Sequence, residues 1–332
     1  MHLIAQFHTI HPVADLPAVV GAPDPLAPYL AEAQTYIRRS KAANTVKAYR
    51  SDWSRFEAFC RGRELASLPA ATVTVAAYAA EAARTLKANT VERHLTAISQ
   101  AHQMAGLANP LEDQLVRTVM AGIRRVKGTA QQGKAPLSAD LLRKMLPPAA
   151  GDLRTLRDRA LLLIGFAGAF RRSELVALRY EDLKFTDEGL IVTIPRSKTD
   201  PEGEGQSVGI PCGSHPESCP VRALALWLER SNITYGPLFP AIGRWGGEVM
   251  GRPIGDHQLA KIIKRLAAQA GLDAEAFSGH SLRSGLATAA AHGGASERSI
   301  MDQTRHRSLR QVRKYIRRGS LFRDNAAARS GL

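Results

Sequence analysis

Cysteine is scarce in this sequence: Cys60, Cys212 and Cys219 are the only ones among 332 residues. Three thiols cannot build a disulfide framework, which excludes the small stapled scaffolds of secreted proteins and suits a reducing cytoplasm. Long apolar runs are missing as well. The longest, Ala160 to Phe170, is too short to cross a bilayer and contains Gly165 and Gly168, so no membrane span is expected. Residues 1–24 hold no Lys or Arg, so the basic start of a secretory signal is not found there. Acidic residues are in deficit. Asp and Glu total 30 against 45 Lys and Arg, a formal net charge of +15. A field of that sign attracts polyanions, which makes nucleic acid the leading partner and an anionic membrane surface the second.

What is present reads as a globular chain long enough for two domains: 45% hydrophobic and 23% charged. Residues 1–25 are rich in Pro and Ala, lack periodicity and read as a loose arm. Residues 26–127 carry helical patterning and hold 15 basic and 8 acidic residues. There Asn44 is expected to cap a helix whose stripe is Tyr49, Trp53, Phe56 and Cys60. Thr72 opens a second helix through Val75 and Tyr78, and Asn89 with Glu92 resembles a capping box ahead of Leu95 and Ile98. Pro110 then leads into Val116, Val119, Met120 and Ile123. Residues 128–135 are polar, contain glycine and read as a linker. From residue 136 to 332 the period changes. Ser138 is expected to cap a helix, an apolar helix runs from about Arg157 to Phe166, and a third begins near Arg172. Leu183 to Ile194 reads as a hairpin with a third strand at Ser207–Ile210. Helices resume at Val221–Arg230, Asp256–Ala270, Ser281–His292 and Ser296–Thr304, followed by an Arg-rich helical tail and a short helix over residues 322–328. The fold class is therefore mainly α with a small antiparallel sheet (α+β).

Five features of the second segment could carry chemistry, and each has an ordinary explanation. Arg171 and Glu174 stand three apart near a helix start, which is also the spacing of a surface ion pair. Yet Arg171 directly follows an apolar run, and a guanidinium held at the mouth of a core presents a fixed fork to a phosphate. His280 and Arg283 share a helix face and can address one anion, although a chance His-x-x-Arg is common in a chain with 10 histidines. His306 lies in a turn where histidines are normally solvated. Tyr315 follows nine residues later inside a run of arginines; residues 301–332 carry nine basic and two acidic residues. A positive field favours a phenolate, while Val312 and Ile316 suit plain packing of an amphipathic helix. Lys198 sits in a turn between strands, where lysines are usually just solvated. Cys212, His215 and Cys219 share a loop but show no fourth ligand at zinc spacing.

Taken together, the order Arg171, Lys198, His280-x-x-Arg283, His306, Tyr315 on a mixed helical domain resembles the catalytic domain of tyrosine recombinases, the phage integrase family. The local matches are Gly-Ala-Phe-Arg-Arg-Ser-Glu-Leu around Arg171, the His280-to-Arg283 box and the step from His306 to Tyr315. The preceding helical segment looks like the family's core-binding domain. Two departures stand out: the family's Leu-Gly-His is here Thr304-Arg305-His306, and the small residues that usually follow are Arg307-Ser308-Leu309-Arg310.

The resemblance implies a site-specific recombinase that cleaves and rejoins DNA through a 3′-phosphotyrosyl bond at Tyr315. Arg171, Arg283 and His306 would stabilise the phosphorane, Lys198 would protonate the leaving 5′-oxygen, His280 would be the base near the tyrosine, and Glu174 would hold a neighbouring side chain in orientation. It implies no metal and no cofactor, double-stranded DNA as partner, a homotetramer on paired sites, a possible accessory DNA-bending protein, and a C-terminal helix docking on a neighbouring protomer. Lys41, Lys47, Lys87 and Arg93 are candidates for reading DNA from the first domain. The alternatives within reach of the same residues are a type IB topoisomerase-like activity and a catalytically inactive architectural protein.

Overall fold

The structure, a computed structural model, describes residues 41–130, 133–195 and 205–319, together with residues 26, 29, 32, 33, 35 and 36. The chain divides into two compact units, residues up to 132 and residues from 133 onward. The arm expected over residues 1–25 and the short helix expected over 322–328 lie outside the described residues.

The first unit is built from α1 (Ala43–Arg61), α2 (Thr72–Thr85), α3 (Ala88–Met104) and α4 (Gln114–Lys127). Their apolar stripes meet as the 3.6-residue period requires. Trp53, Phe56, Cys60, Val75, Tyr78, Val91, Leu95, Ile98, Val116 and Met120 form one core. Two of the expected helix starts differ. α1 begins after Ala42 and α3 after Lys87, both extended residues without a side-chain cap. The backbone turns helical ahead of Asn44 and Asn89, which places both inside the first turn. Asn44 is no cap, and Asn89 and Glu92 form no capping box. Pro110 opens a short 3₁₀ turn, Pro110–Glu112, and Asp113 caps α4 by accepting from the Leu115 N–H at 2.7 Å.

The second unit starts with α5 (Ala139–Met145), capped by Ser138 as expected. α6 (Leu153–Ala167) begins earlier than the Arg157 start read from the pattern, because Asp152 caps it, accepting from the Thr155 N–H at 2.8 Å. Ala160 to Ile164 are at most 3% exposed all the way round, so α6 is the buried axis of the unit. After α7 (Arg172–Ala177) come β1 (Leu183–Thr186), β2 (Gly189–Ile194) and β3 (Gln206–Pro211), an antiparallel sheet in the order β1-β2-β3. Leu190, Val192, Ile194, Val208 and Ile210 turn inward to the core. α8 (Pro220–Ser231) leads to a second hairpin, β4 (Pro240–Ile242) with β5 (Val249–Pro253), which the sequence pattern did not reveal. α9 (Asp256–Gln269), α10 (Gly279–His292), α11 (Glu297–Thr304) and α12 (Leu309–Gly319) complete it. Among the described residues no helix is long and apolar enough to cross a membrane.

The segment entering the unit is laid against the first turn of α10 and the 3₁₀ turn Ala274–Ala276 before it: the Ala135 N–H donates to Ala276 O at 2.9 Å and the Leu137 N–H to Ser281 O at 3.0 Å. Leu137 is fully buried, and a Cβ at Gly285 would lie 2.1 Å from its carbonyl oxygen. Neither partner can retreat, because one is a helix backbone and the other a hydrogen-bonded strand of chain. Gly285→Ala is therefore expected to lower unfolding stability by about 1–3 kcal/mol through overpacking. Chemical denaturation of the purified variant checks this, and an unchanged midpoint would show that the segment can lift away.

Candidate active site

α10 begins with Ser278, whose hydroxyl accepts from the His280 N–H at 3.3 Å while Ser281 Oγ accepts from the Ser278 N–H at 3.0 Å. That reciprocal cap fixes the first turn and puts His280 and Arg283 on one face. Arg283 is 2% exposed. Its Nη1 donates to Ala169 O at 2.7 Å, and its Nη2 is buried with no hydrogen-bond partner among the described residues.

The Ala169 carbonyl is offered by a strained turn. Phe170 folds back over Gly168, where any Cβ would sit 2.1 Å from the ring, and Ala169 adopts φ +45°. A non-glycine residue in that region costs about 1–2 kcal/mol. Arg171 follows as the N-cap of α7. Its own N–H donates to Glu174 Oε2 at 2.8 Å, its guanidinium bonds Glu174 Oε1, and its Nη2 reaches Arg305 O at 3.3 Å. The Arg171 side chain stays 18% exposed while that of Glu174 is 2% exposed. Burial alone would push the Glu174 carboxyl up, but the Arg171 N–H bond and the Arg305 and Arg171 charges hold it below the usual carboxylate range. Glu174 thus orients Arg171.

α11 ends at Thr304, and Arg305 at φ +54° reverses the chain to deliver His306. Thr304 Oγ1 donates to Ile300 O at 2.5 Å, so it accepts from His306 Nδ1 at 2.7 Å and leaves Nε2 as the ring's other nitrogen for the site. On α12, Val312 packs with Ala287, Ala291 and Ile300, and Tyr315 and Ile316 lie against the same cluster. This packing seats the Tyr315 hydroxyl 3.0 Å from His280 Nε2, with its ring centre 5.7 Å from that of His306. The surrounding protein, and then Arg283, lower the His280 pKa, so a neutral Nε2 can accept the phenol proton. Desolvation, followed by the charges of Arg283 and Arg171, pushes His306 down to about 4. Desolvation and the neighbouring Arg171 and Arg305 charges pull Arg283 down to about 9, which leaves it charged at neutral pH.

The structure thus brings together Arg171, Glu174, His280, Arg283, His306 and Tyr315. Lys198 falls between β2 and β3 in a stretch, 196–204, that lies outside the described residues. Arg305 is the participant that sequence reasoning treated only as a departure from pattern. Its signal was its position, an arginine where the resembling family places glycine. In the first unit, Lys47 and Lys87 are exposed and Lys41 bonds Gln100. The Arg93 fork, by contrast, is taken up by Asp52 at 2.7 and 2.9 Å. Asp52 also lies 3.1 Å from His94, whose ring bonds Tyr78 at 2.7 Å. Among the described residues no group of three or more His, Cys, Asp or Glu side chains is placed to hold a metal, Cys212, His215 and Cys219 included. Cys219 is buried, and its sulfur accepts from the Gly213 N–H at 3.2 Å.

A phenol bonded to an imidazole, beside two arginines and a second imidazole, is the equipment for moving a phosphoryl group onto tyrosine. Enzymes that cut nucleic acid through a covalent protein link work in this way. Sequence comparison gives the family. Residues 136–320 match the phage integrase family, and residues 33–108 match the phage integrase N-terminal SAM-like domain. The chain is 44% identical over 302 residues, 90% of its length and 88% of the relative's, to an integrase/recombinase xerD homolog of Selenomonas ruminantium. The same fold is found in the XerH site-specific recombinase bound to palindromic difH substrate (TM-score 0.65, 18% identity, covering 90% of this chain and 83% of that one). It recurs in a lambda integrase dimer bound to a core site (TM-score 0.58, 18% identity, covering 90% and 97%). This chain belongs to the phage integrase family, the tyrosine recombinases, which break and rejoin DNA.

The environment of His306 yields a direct check. Its folded pKa lies below the ordinary 6.5, so the neutral ring's contribution to stability is complete above pH 6.5 and is lost as the pH falls from there through about 4. Proton NMR of the DNA-free protein should place the midpoint of this imidazole near 4; a midpoint at 6.5 would mean that the turn is open to solvent.

Proposed function

We propose that this protein is a site-specific DNA recombinase whose nucleophile, Tyr315, acts within its own chain. Tyr315 Oη attacks the scissile phosphorus as its proton passes to His280. The 5′-oxygen leaves, protonated by Lys198, and a 3′-phosphotyrosyl bond forms. A 5′-hydroxyl from a second strand then attacks that bond, restoring the phosphodiester and the phenol. The covalent link preserves the bond energy, so no nucleotide cofactor enters the scheme. Charge on the non-bridging oxygens is met by the forks of Arg171 and Arg283, and by His306, whose proton affinity rises once an anion lies beside it.

The observation that carries this reading is the buried Nη2 of Arg283, unpartnered among the described residues, on a guanidinium that interacts electrostatically with Tyr315, whose hydroxyl lies 3.0 Å from an imidazole. A satisfied structural arginine would spend both Nη groups on protein. Residues 26–127 serve as a core-binding domain and residues 136–332 as the catalytic domain, with 128–135 linking them. Lys41, Lys47 and Lys87 are the groups we assign to the DNA backbone from the first unit. Strand exchange between paired sites takes four copies of the chain, with an accessory DNA-bending protein where the sites demand it, in the cytoplasm on the nucleoid. We assign the reaction to DNA integration, resolution or mobile-element movement.

Three measurements test the scheme. DNA recovered covalently bound under denaturing conditions, once sequenced, defines the target, and a nicked duplex of that sequence should trap an adduct with wild type but not with Tyr315→Phe. Binding without trapping by both would favour an architectural protein, and supercoil relaxation by a monomer without recombinant product would favour a topoisomerase. Arg171→Ala and Arg283→Ala should keep most DNA affinity while cleavage falls by about 10²–10³-fold, the usual loss for one transition-state donor. Trapping should also persist in EDTA; strict dependence on magnesium would point to a different nuclease chemistry.

A further inference from the structure

We infer that Arg305 is a positioning residue of the phosphate-binding set, tying the turn that carries His306 to the Arg171–Glu174 pair and to the carbonyl that holds Arg283. This rests on the reading of those residues given above. The Arg305 side chain is only 4% exposed. Its Nη1 donates to Gly168 O at 3.0 Å and to Gln303 O at 2.8 Å, and its Nη2 donates to Ala169 O at 3.1 Å and to Glu174 Oε2 at 3.0 Å. The Phe170 ring lies 5.1 Å away. Both Nη groups are spent on protein and only the buried Nε lacks a partner among the described residues, so the fork of Arg305 is engaged by the protein where Arg283 keeps an Nη2 free.

What it touches is informative. Ala169 O takes bonds from both Arg305 and Arg283, and Glu174 is shared by Arg305 and Arg171. Arg305 also offers its own carbonyl to Arg171 Nη2. One side chain therefore meets each anchor that aims the two phosphate-facing arginines, and its backbone continues directly into His306. The position is also conformationally expensive. At φ +54° glycine would fit without strain, and an arginine stands there nonetheless. A turn needing only to reverse the chain gains nothing from that choice; one needing a buried fork does.

The test compares Arg305→Gly and Arg305→Lys with wild type in the full chain. Glycine suits the turn and removes the fork; lysine keeps the charge without planar, bidentate reach. On the nicked duplex, Arg305→Gly should bind DNA within about 3-fold of wild type and form adduct about 10²-fold more slowly, the scale of an ångström-sized misplacement. Arg305→Lys should fall between. Millimolar methylguanidinium should restore part of the rate to Arg305→Gly and none to Tyr315→Phe. Adduct formation by Arg305→Gly within 3-fold of wild type would overturn the inference. So would a loss that tracks the folded fraction in circular-dichroism melts and resists methylguanidinium, since Arg305 would then be a fold staple only. If wild type yields no covalently bound DNA under denaturing conditions at all, the recombinase reading fails and takes this inference with it.

Discussion

Guanidinium groups repel one another, and this protein gathers those of Arg171, Arg283 and Arg305 around one buried carboxylate. Glu174 bonds Arg171 twice, through its backbone N–H and its side chain, and bonds Arg305 once. Without that negative charge the two forks would have no reason to stay in a space largely shielded from water, where their mutual repulsion is strongest. With it, the donors are fixed before any DNA arrives. In the proposed reaction little reorganisation would then be needed as charge develops on a phosphate, which is the main advantage a protein site holds over water. Glu174 acts at one remove: it sets where Arg171 points.

Two devices support this arrangement, one strained and one relaxed. Ala169 and Arg305 both sit at positive φ, and each turns carbonyls toward the arginines. Strain of this kind persists only where neighbouring contacts over-determine it, and here the arginine bonds do so. The relaxed device is apolar. Val312 and Ile316, spaced around Tyr315, press α12 onto α10 and α11. Packing from an amphipathic helix and service as a nucleophile looked like rival explanations of Tyr315. In the fold they are compatible: the contacts that bury one side of the ring set the height of its hydroxyl against His280.

Much of this was legible in the residues. Ser138 reads as a cap because a hydroxyl before an apolar period has one common use, and the stripe Trp53, Phe56, Cys60 predicts a buried face. The order of arginine, histidine and tyrosine pointed to side chains that the fold brings together, although no member stood out alone. Asn44 and Asn89 misled because helix starts are set where backbone dihedrals change, and here they change at Ala42 and Lys87, which have no capping side chain. The β4–β5 hairpin escaped notice because β4 is three residues long and its glycine-rich tip carries no alternation. Arg305 was obscured by its surroundings. In so basic a tail an extra arginine suggests solvent or phosphate, and nothing in one dimension shows that Glu174 and the 168–169 carbonyls converge on it.

The close approach of Leu137 to Gly285 has one more implication. The first residues of the second unit are laid against the helix that carries His280 and Arg283, so the chain enters this unit beside its chemistry. Any transplant, truncation or fusion that treats residues 133–137 as disposable connector would remove a support from beneath the reactive groups. In this architecture the first residues of the second unit belong to the scaffold of the candidate site.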